Sequence, residues 1–330
     1  MRSARKRQIL NLVGISLSAL FLYFCFRSLD AESLKKAFLL PRPWWLLGVL
    51  ALNFSLMAVR SLTWSALLQA LARLPFAELF DILHIGYMAN NLLPLKAGEF
   101  LRASIVAKRK KLPYAQVLTT VGLERFFPGF TLILLLVVVA GFLEVPFWIK
   151  TGAYTTGAVL LGVFGMLVLL WNRRPNLEKW KKRHPFFYRI IEFFYHISEA
   201  SQPLRSPSAF VNLTFLALLG WALQAGMLFC IEAAYQVQIG FFGTLFVLIA
   251  INFAVALPSA PSSLGTFEFA AVLAYTYLGL DKATALGIGF YFHFLQAIPI
   301  TLIGLFYYFR LGIKLKDLEE AEERKVEALP

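Results

Sequence analysis

The sequence predicts an all-α polytopic membrane protein: about six full spans plus two oppositely oriented re-entrant hairpins, an arrangement compatible with an inverted repeat. Three observations carry this. Hydrophobic residues make up 59% of the 330 and charged residues only 15%, with a mean hydropathy of +0.67, which excludes an ordinary soluble domain. Apolar stretches able to cross about 30 Å of hydrocarbon lie near 9–27, 43–59, 127–144, 154–171, 209–235 and 284–309. Two further apolar stretches, 76–107 and 242–279, are each interrupted by a proline- and glycine-containing break just ahead of a carboxylate.

Taken in order, the amino terminus carries Arg2, Arg5, Lys6 and Arg7 ahead of an apolar run from Ile9 to Phe26. The run is long for a signal peptide and no small-residue cleavage site follows it, so it reads as a retained first span. The second span ends at Arg60, read as an interfacial anchor with Trp64 one turn on. Lys108-Arg109-Lys110-Lys111 closes the first broken stretch. Clusters of basic residues favour the cytoplasm, so a stretch with Arg60 before it and Lys108–Lys111 after it enters and leaves by one face. The hydrophilic loop near 172–207, rich in Lys and Arg, is likewise expected inside. The second broken stretch then begins outside, and the last span returns to Arg310, Lys314 and Lys316. Both termini are expected in the cytoplasm, at a cytoplasmic or plasma membrane. The tail from Lys316 to Lys325 alternates charge and reads as a solvated helical end. The whole chain, 1–330, reads as one transmembrane domain.

The net charge of +13 is explained by topology and anionic lipid headgroups better than by nucleic acid, which is not an expected partner. Membrane lipids are, and a homo-oligomer is compatible with the composition. Cys25 and Cys230 fall in apolar segments without metal-ligand spacing and read as inert thiols. His84 and Asp81 lack a third ligand at metal spacing. No metal, cofactor or catalytic residue is expected, because no nucleophile constellation, phosphate-binding glycine loop or zinc motif is present.

Inside a bilayer, unwound backbone survives only where protein or a water-filled cavity shields it. Paired breaks in the two halves therefore point to a transporter's binding site. In the first, Gly86 and Asn90 share a helical face, Pro94 and Gly98 bracket the break, Glu99 opens the next helix and Arg102 follows one turn on. A helix start offers free amides and a positive dipole end to a phosphate, and Lys96 and Arg102 would add charge-assisted hydrogen bonds. Lys96, Arg102, Asn90 and Gly98 are thus the candidate headgroup-binding residues. The plainer alternative is that Glu99 caps its helix and pairs with Arg102 at i, i+3. Glu124-Arg125, placed at the start of the third span, should face the bundle interior and pair, with Lys96 or Arg102 as partners or in a purely structural ion pair. The second break carries Pro258, Pro261 and Gly265 ahead of Glu268. Glu268 has no basic neighbour in sequence, so it is either a proton carrier or a cap on its own helix. Glu99, Glu124, Arg125 and Glu268 are the candidate coupling or gating residues. Gln224 and His293, in apolar spans, read as interhelical hydrogen bonders.

At these residues the chain resembles the lysylphosphatidylglycerol synthase transmembrane-region, or flippase-like, family. A first motif of the form G-x-x-x-N-x-x-x-P-x-[RK]-x-G-E-x-x-R is matched by Gly86, Asn90, Pro94, Lys96, Gly98, Glu99 and Arg102. An E-R pair follows at Glu124 and Arg125, and a P-x-x-P…G-x-x-E element at Pro258, Pro261, Gly265 and Glu268. The chain departs from the family with Lys at 96, Pro128 where an Asp is more usual, and Ser262 and Ser263 where glycines are more usual. The resemblance implies translocation of an anionic phospholipid or lipid-linked intermediate. It leaves as rivals a headgroup-modifying enzyme or subunit and a non-transporting scaffold of envelope lipid or glycan assembly. No soluble aminoacyltransferase domain follows within the sequence, which weighs against the enzymatic alternative.

Overall fold

The structure, a computed structural model, describes residues 2–39, 42–93, 97–144, 147–172, 206–257 and 259–313. Pro94, Lys96, Pro258, the charged tail and nearly all of the basic loop lie outside the described residues. Every regular element described is helical: α1 (Arg2–Phe26), α2 (Ala31–Phe38), α3 (Trp45–Leu68), α4 (Phe76–Leu92), α5 (Gly98–Lys110), α6 (Tyr114–Phe142), α7 (Phe147–Asn172), α8 (Pro207–Ala234), α9 (Gly240–Val255), α10 (Thr266–Tyr277) and α11 (Lys282–Arg310), with a 3₁₀ turn at Pro261–Ser263. Of these, α3, α6, α8 and α11 are long and apolar enough to cross a membrane, and Leu12–Phe26 and α9 are shorter apolar helices.

Local chemistry sets the ends. Pro75 and Pro113, both in extended backbone, precede α4 and α6, since a proline supplies a fixed φ and no amide that needs a partner. Asp281 caps α11, its carboxylate accepting the Thr284 N–H at 3.0 Å. Lys108, Arg109 and Lys110 occupy the last turn of α5, where cations complement the helix dipole.

The architecture follows from α3 and α8, the most extensively packed helix pair. Gly48 lies against Cys230, Gly226 against Leu52 and Gly220 against Leu56. Numbers rise along one helix as they fall along the other, so the two are antiparallel, with small residues permitting close approach. Each is followed by a hairpin, α4–α5 after α3 and α9–α10 after α8. The hairpins therefore start from opposite ends of the α3–α8 pair, as an inverted repeat requires.

The first hairpin is closed by glycines. A Cβ on Gly98 would overlap the carbonyl oxygen of Gly86, and the Gly98 N–H donates to Asn90 Oδ1 at 2.8 Å. The motif's two glycines and its asparagine thus hold α4 and α5 together around the break. The second break is shielded by α1: Ser18 Oγ accepts the Ala260 N–H at 2.8 Å, and Phe21 stacks on Phe269 at 4.5 Å. Gly265, at φ +85°, turns the chain into α10 and leaves no room for a side chain against Ser18.

Two expectations about span ends are corrected. Helix α3 continues two turns past Arg60 to Leu68, so Arg60 lies inside a span and is no interfacial anchor. Helix α6 begins at Tyr114, so Glu124 and Arg125 sit well inside it and not at its start. Both misplacements have one cause: a charge within an apolar run looks like the run's end when the residue in fact faces the bundle interior or a cavity.

Candidate functional site

Four ionisable groups of the first half sort into two pairs. Arg102 is buried, 1% exposed, and forms an ion pair with Glu124, also buried. Its guanidinium lies over the Trp64 ring at 4.8 Å, and Trp64 in turn donates its Nε1–H to Thr120 Oγ1 at 3.0 Å. Arg125 Nε lies 3.0 Å from Glu99 Oε1 in a half-buried pair. The adjacent i, i+3 pairing of Glu99 with Arg102 does not form. Each carboxylate and each guanidinium is instead matched across α5 and α6.

In the second half, Glu268 occupies the first turn of α10 and accepts the Gly265 N–H at 2.7 Å. Its other oxygen accepts from His293 Nδ1 at 2.6 Å, and His293 Nε2 and the Ser262 hydroxyl are hydrogen-bonded at 3.0 Å. His293 stacks on Phe267, ring centroids 4.4 Å apart. Glu268 is therefore both a cap and a partnered carboxylate; its basic neighbour comes from α11, far away in sequence. His293 is the interhelical hydrogen bonder expected of it.

The two hairpins enclose a common cavity of about 300 Å³. Tyr87, Asn90, Asn91 and Glu99 line it from the first hairpin, and Asn252, Ser262, Ser263 and Phe267 from the second. Arg60 of α3, Arg125 of α6, Gln224 of α8 and His293 and Gln296 of α11 add polar groups to a wall that Ile251, Val255, Phe292, Ala297 and Ile300 complete. A smaller space of about 110 Å³ continues from it, sharing Arg60, Tyr87, Arg125, Gln224 and Asn252. The 3₁₀ turn of the second break packs directly on α4, so the hairpin tips meet.

Of the candidate headgroup residues, Asn90 reaches the cavity, with its carbonyl oxygen spent on Gly98. Arg102 does not reach it: ring and carboxylate enclose its guanidinium. Gly98 serves the helix crossing, its N–H already bonded to Asn90. Glu99 and Arg125 line the cavity, while Glu124 faces only the smaller space. Pro261 opens the 3₁₀ turn, and Gly265 sits beneath it. Arg60 and Tyr87 were not anticipated at the site. Arg60 lies over the Tyr87 ring at 4.7 Å, and Arg125 lies 5.2 Å from the same ring. An arginine in the apolar run of α3 was the available signal, because such a residue is costly unless it faces a cavity or a partner.

A bundle of apolar helices with two inverted broken hairpins around a polar central cavity defines a multi-pass membrane protein. The chain belongs to the family described as the lysylphosphatidylglycerol synthase TM region, whose pattern it matches over residues 11–304. It is also similar to the UPF0104 membrane protein MJ1078 of Methanocaldococcus jannaschii, 22% identical over 222 residues, covering 65% of this chain and 90% of that protein.

Proposed function

We propose that this protein moves an anionic phospholipid or lipid-linked intermediate between membrane leaflets. One observation carries the reading: a polar cavity shared by two inverted hairpins, lined by Arg60, Arg125 and several amides, in the middle of an otherwise apolar bundle. Arginines and carboxamides placed there are expensive to keep, and in membrane proteins they mark substrate pathways. The inverted repeat supports alternating access, in which one half rocks against the other around a fixed site. Glu99–Arg125 and Glu268–His293 are the contacts that would rearrange, and Lys96 in the first break would meet the headgroup as it enters. Both termini and the Lys108–Lys111 cluster would face the cytoplasm, following the basic bias of the loops.

The test is reconstitution of the purified protein into liposomes carrying a labelled anionic phospholipid in one leaflet, with mass spectrometry of the lipids afterwards. Accelerated movement of unmodified lipid supports translocation. A new lipid species would establish the enzymatic rival, and neither effect would leave a scaffold.

A further inference from the structure

We propose that Arg60, with Arg125 beside it on the Tyr87 ring, forms the seat for a single phosphate oxyanion, and that this cavity discriminates against headgroups bearing an ammonium group. The inference rests on the translocation reading and deepens it by naming the anion site and the substrate class.

Charge accounting around the cavity supports it. Glu99 is held by Arg125, Glu124 by Arg102, and both oxygens of Glu268 are occupied, by Gly265 N–H and His293. Among the described residues, each carboxylate facing this cavity already has a basic partner, whereas Arg60 adds a positive charge. Arg60, by contrast, has no carboxylate partner among the described residues, and its guanidinium lies over the Tyr87 ring. A guanidinium inside a membrane helix is costly to keep without a counter-charge, and a cation–π contact offsets only part of that cost; an arriving anion would supply the rest.

Two neutral groups point the same way. Gln224 is 8% exposed, faces the cavity and makes no hydrogen bond among the described residues. The Tyr87 hydroxyl is buried beside the Arg125 guanidinium and lines the same cavity. A carboxamide and a phenol beside an unpaired guanidinium can donate to phosphate oxygens and to hydroxyls of a polyol headgroup. An ammonium could meet the same acceptor oxygens, but it would do so beside the positive charge of Arg60 and Arg125, which favours the phosphate and disfavours the amine.

The experiment places the full chain in phosphatidylcholine nanodiscs doped equally with phosphatidylglycerol, phosphatidylethanolamine and lysylphosphatidylglycerol, then quantifies co-purifying lipid by mass spectrometry. Phosphatidylglycerol should be enriched and the other three not. Arg60→Ala should lower that enrichment about tenfold or more, Arg60→Lys should retain part of it, and Gln224→Leu should lower it less. Thermal midpoints identify any variant that fails to fold, and the remaining two then decide. Excess inorganic phosphate separates the sources of the anion: displacement of the lipid assigns the seat to free phosphate, and retention assigns it to a phosphodiester headgroup. Equal enrichment of lysylphosphatidylglycerol, or wild-type enrichment in folded Arg60 variants, overturns the proposal. A parallel translocation assay keeps the two readings apart. Lipid movement indifferent to Arg60 defeats the seat alone, and Arg60-dependent retention without movement defeats translocation alone.

Discussion

Arg125 and His293 stand at matching places in two helices of equal length. Each lies eleven residues beyond its helix's first residue, Tyr114 or Lys282, and each helix is 29 residues long. Each also receives the carboxylate from the first turn of the preceding hairpin helix, Glu99 in one half and Glu268 in the other. The halves thus keep the same scaffold and differ in chemistry, a guanidinium in the first and an imidazole in the second.

The buried Arg102–Glu124 pair is predicted to be structural. Arg102→Ala or Glu124→Ala leaves the other charge buried and unpaired, which costs about 3–5 kcal/mol. Thermal denaturation in detergent should show a large fall in midpoint for either single variant. The double variant Arg102→Met, Glu124→Leu should recover much of that loss.

Glycine 98 is predicted to be intolerant of any side chain. Gly98→Ala drives a Cβ into the Gly86 carbonyl, backbone against backbone, and should cost about 3 kcal/mol through overpacking. Gly86→Ala meets mainly the flexible Arg102 side chain and the Gly98 carbonyl, each at 3.2 Å, and should cost less. Midpoints of the two variants measured side by side check the order.

Ser262 and Ser263 both have φ near +60°, a conformation that costs an L-residue about 1–2 kcal/mol and glycine nothing. Ser263→Gly should therefore raise stability by about 1 kcal/mol. Ser262→Gly gains the same relief but gives up the hydrogen bond to His293, so its midpoint should move little. These are the positions where the sequence departs from glycine in the family pattern.

Inverted topology is predicted to show in labelling. With Cys25 and Cys230 replaced, cysteines at Arg73 and Lys111, which flank the first hairpin, should react with an impermeant thiol reagent from one side. Cysteines at Gln238 and Leu280, which flank the second, should react from the other. Reaction of the two ends of one hairpin from opposite sides would rule the hairpin out.

The hairpins were legible in the sequence because proline, glycine and a following carboxylate are local signals. Pairing was not. Nothing near Glu268 in the chain announces His293, and nothing near Arg102 says that it prefers Glu124 to Glu99, because these choices are made by helices packing at a distance. Hydropathy also misled at Arg60. A scale that scores each residue alone treats a charge as an edge, whereas the ring of Tyr87 lets this one lie within the bundle. The asparagines followed both patterns: Asn90 was readable from its spacing to Gly86, while Asn91 donates to Thr301 and Ala297 of α11, a partnership only the assembled fold reveals.

The seam between α1 and the second break bears on how the protein is made. Ser18 meets Ala260 across 242 residues of chain, so α1 cannot dock on the second break until that distant segment has been synthesised. At roughly 5–20 residues per second, that is a wait of tens of seconds in the lipid. The unwound Ser259–Gly265 segment, in turn, is born into a bilayer already holding the helix that will shield it. Docking of α1 on the second break therefore belongs to the assembly of the bundle and not to the insertion of α1 itself.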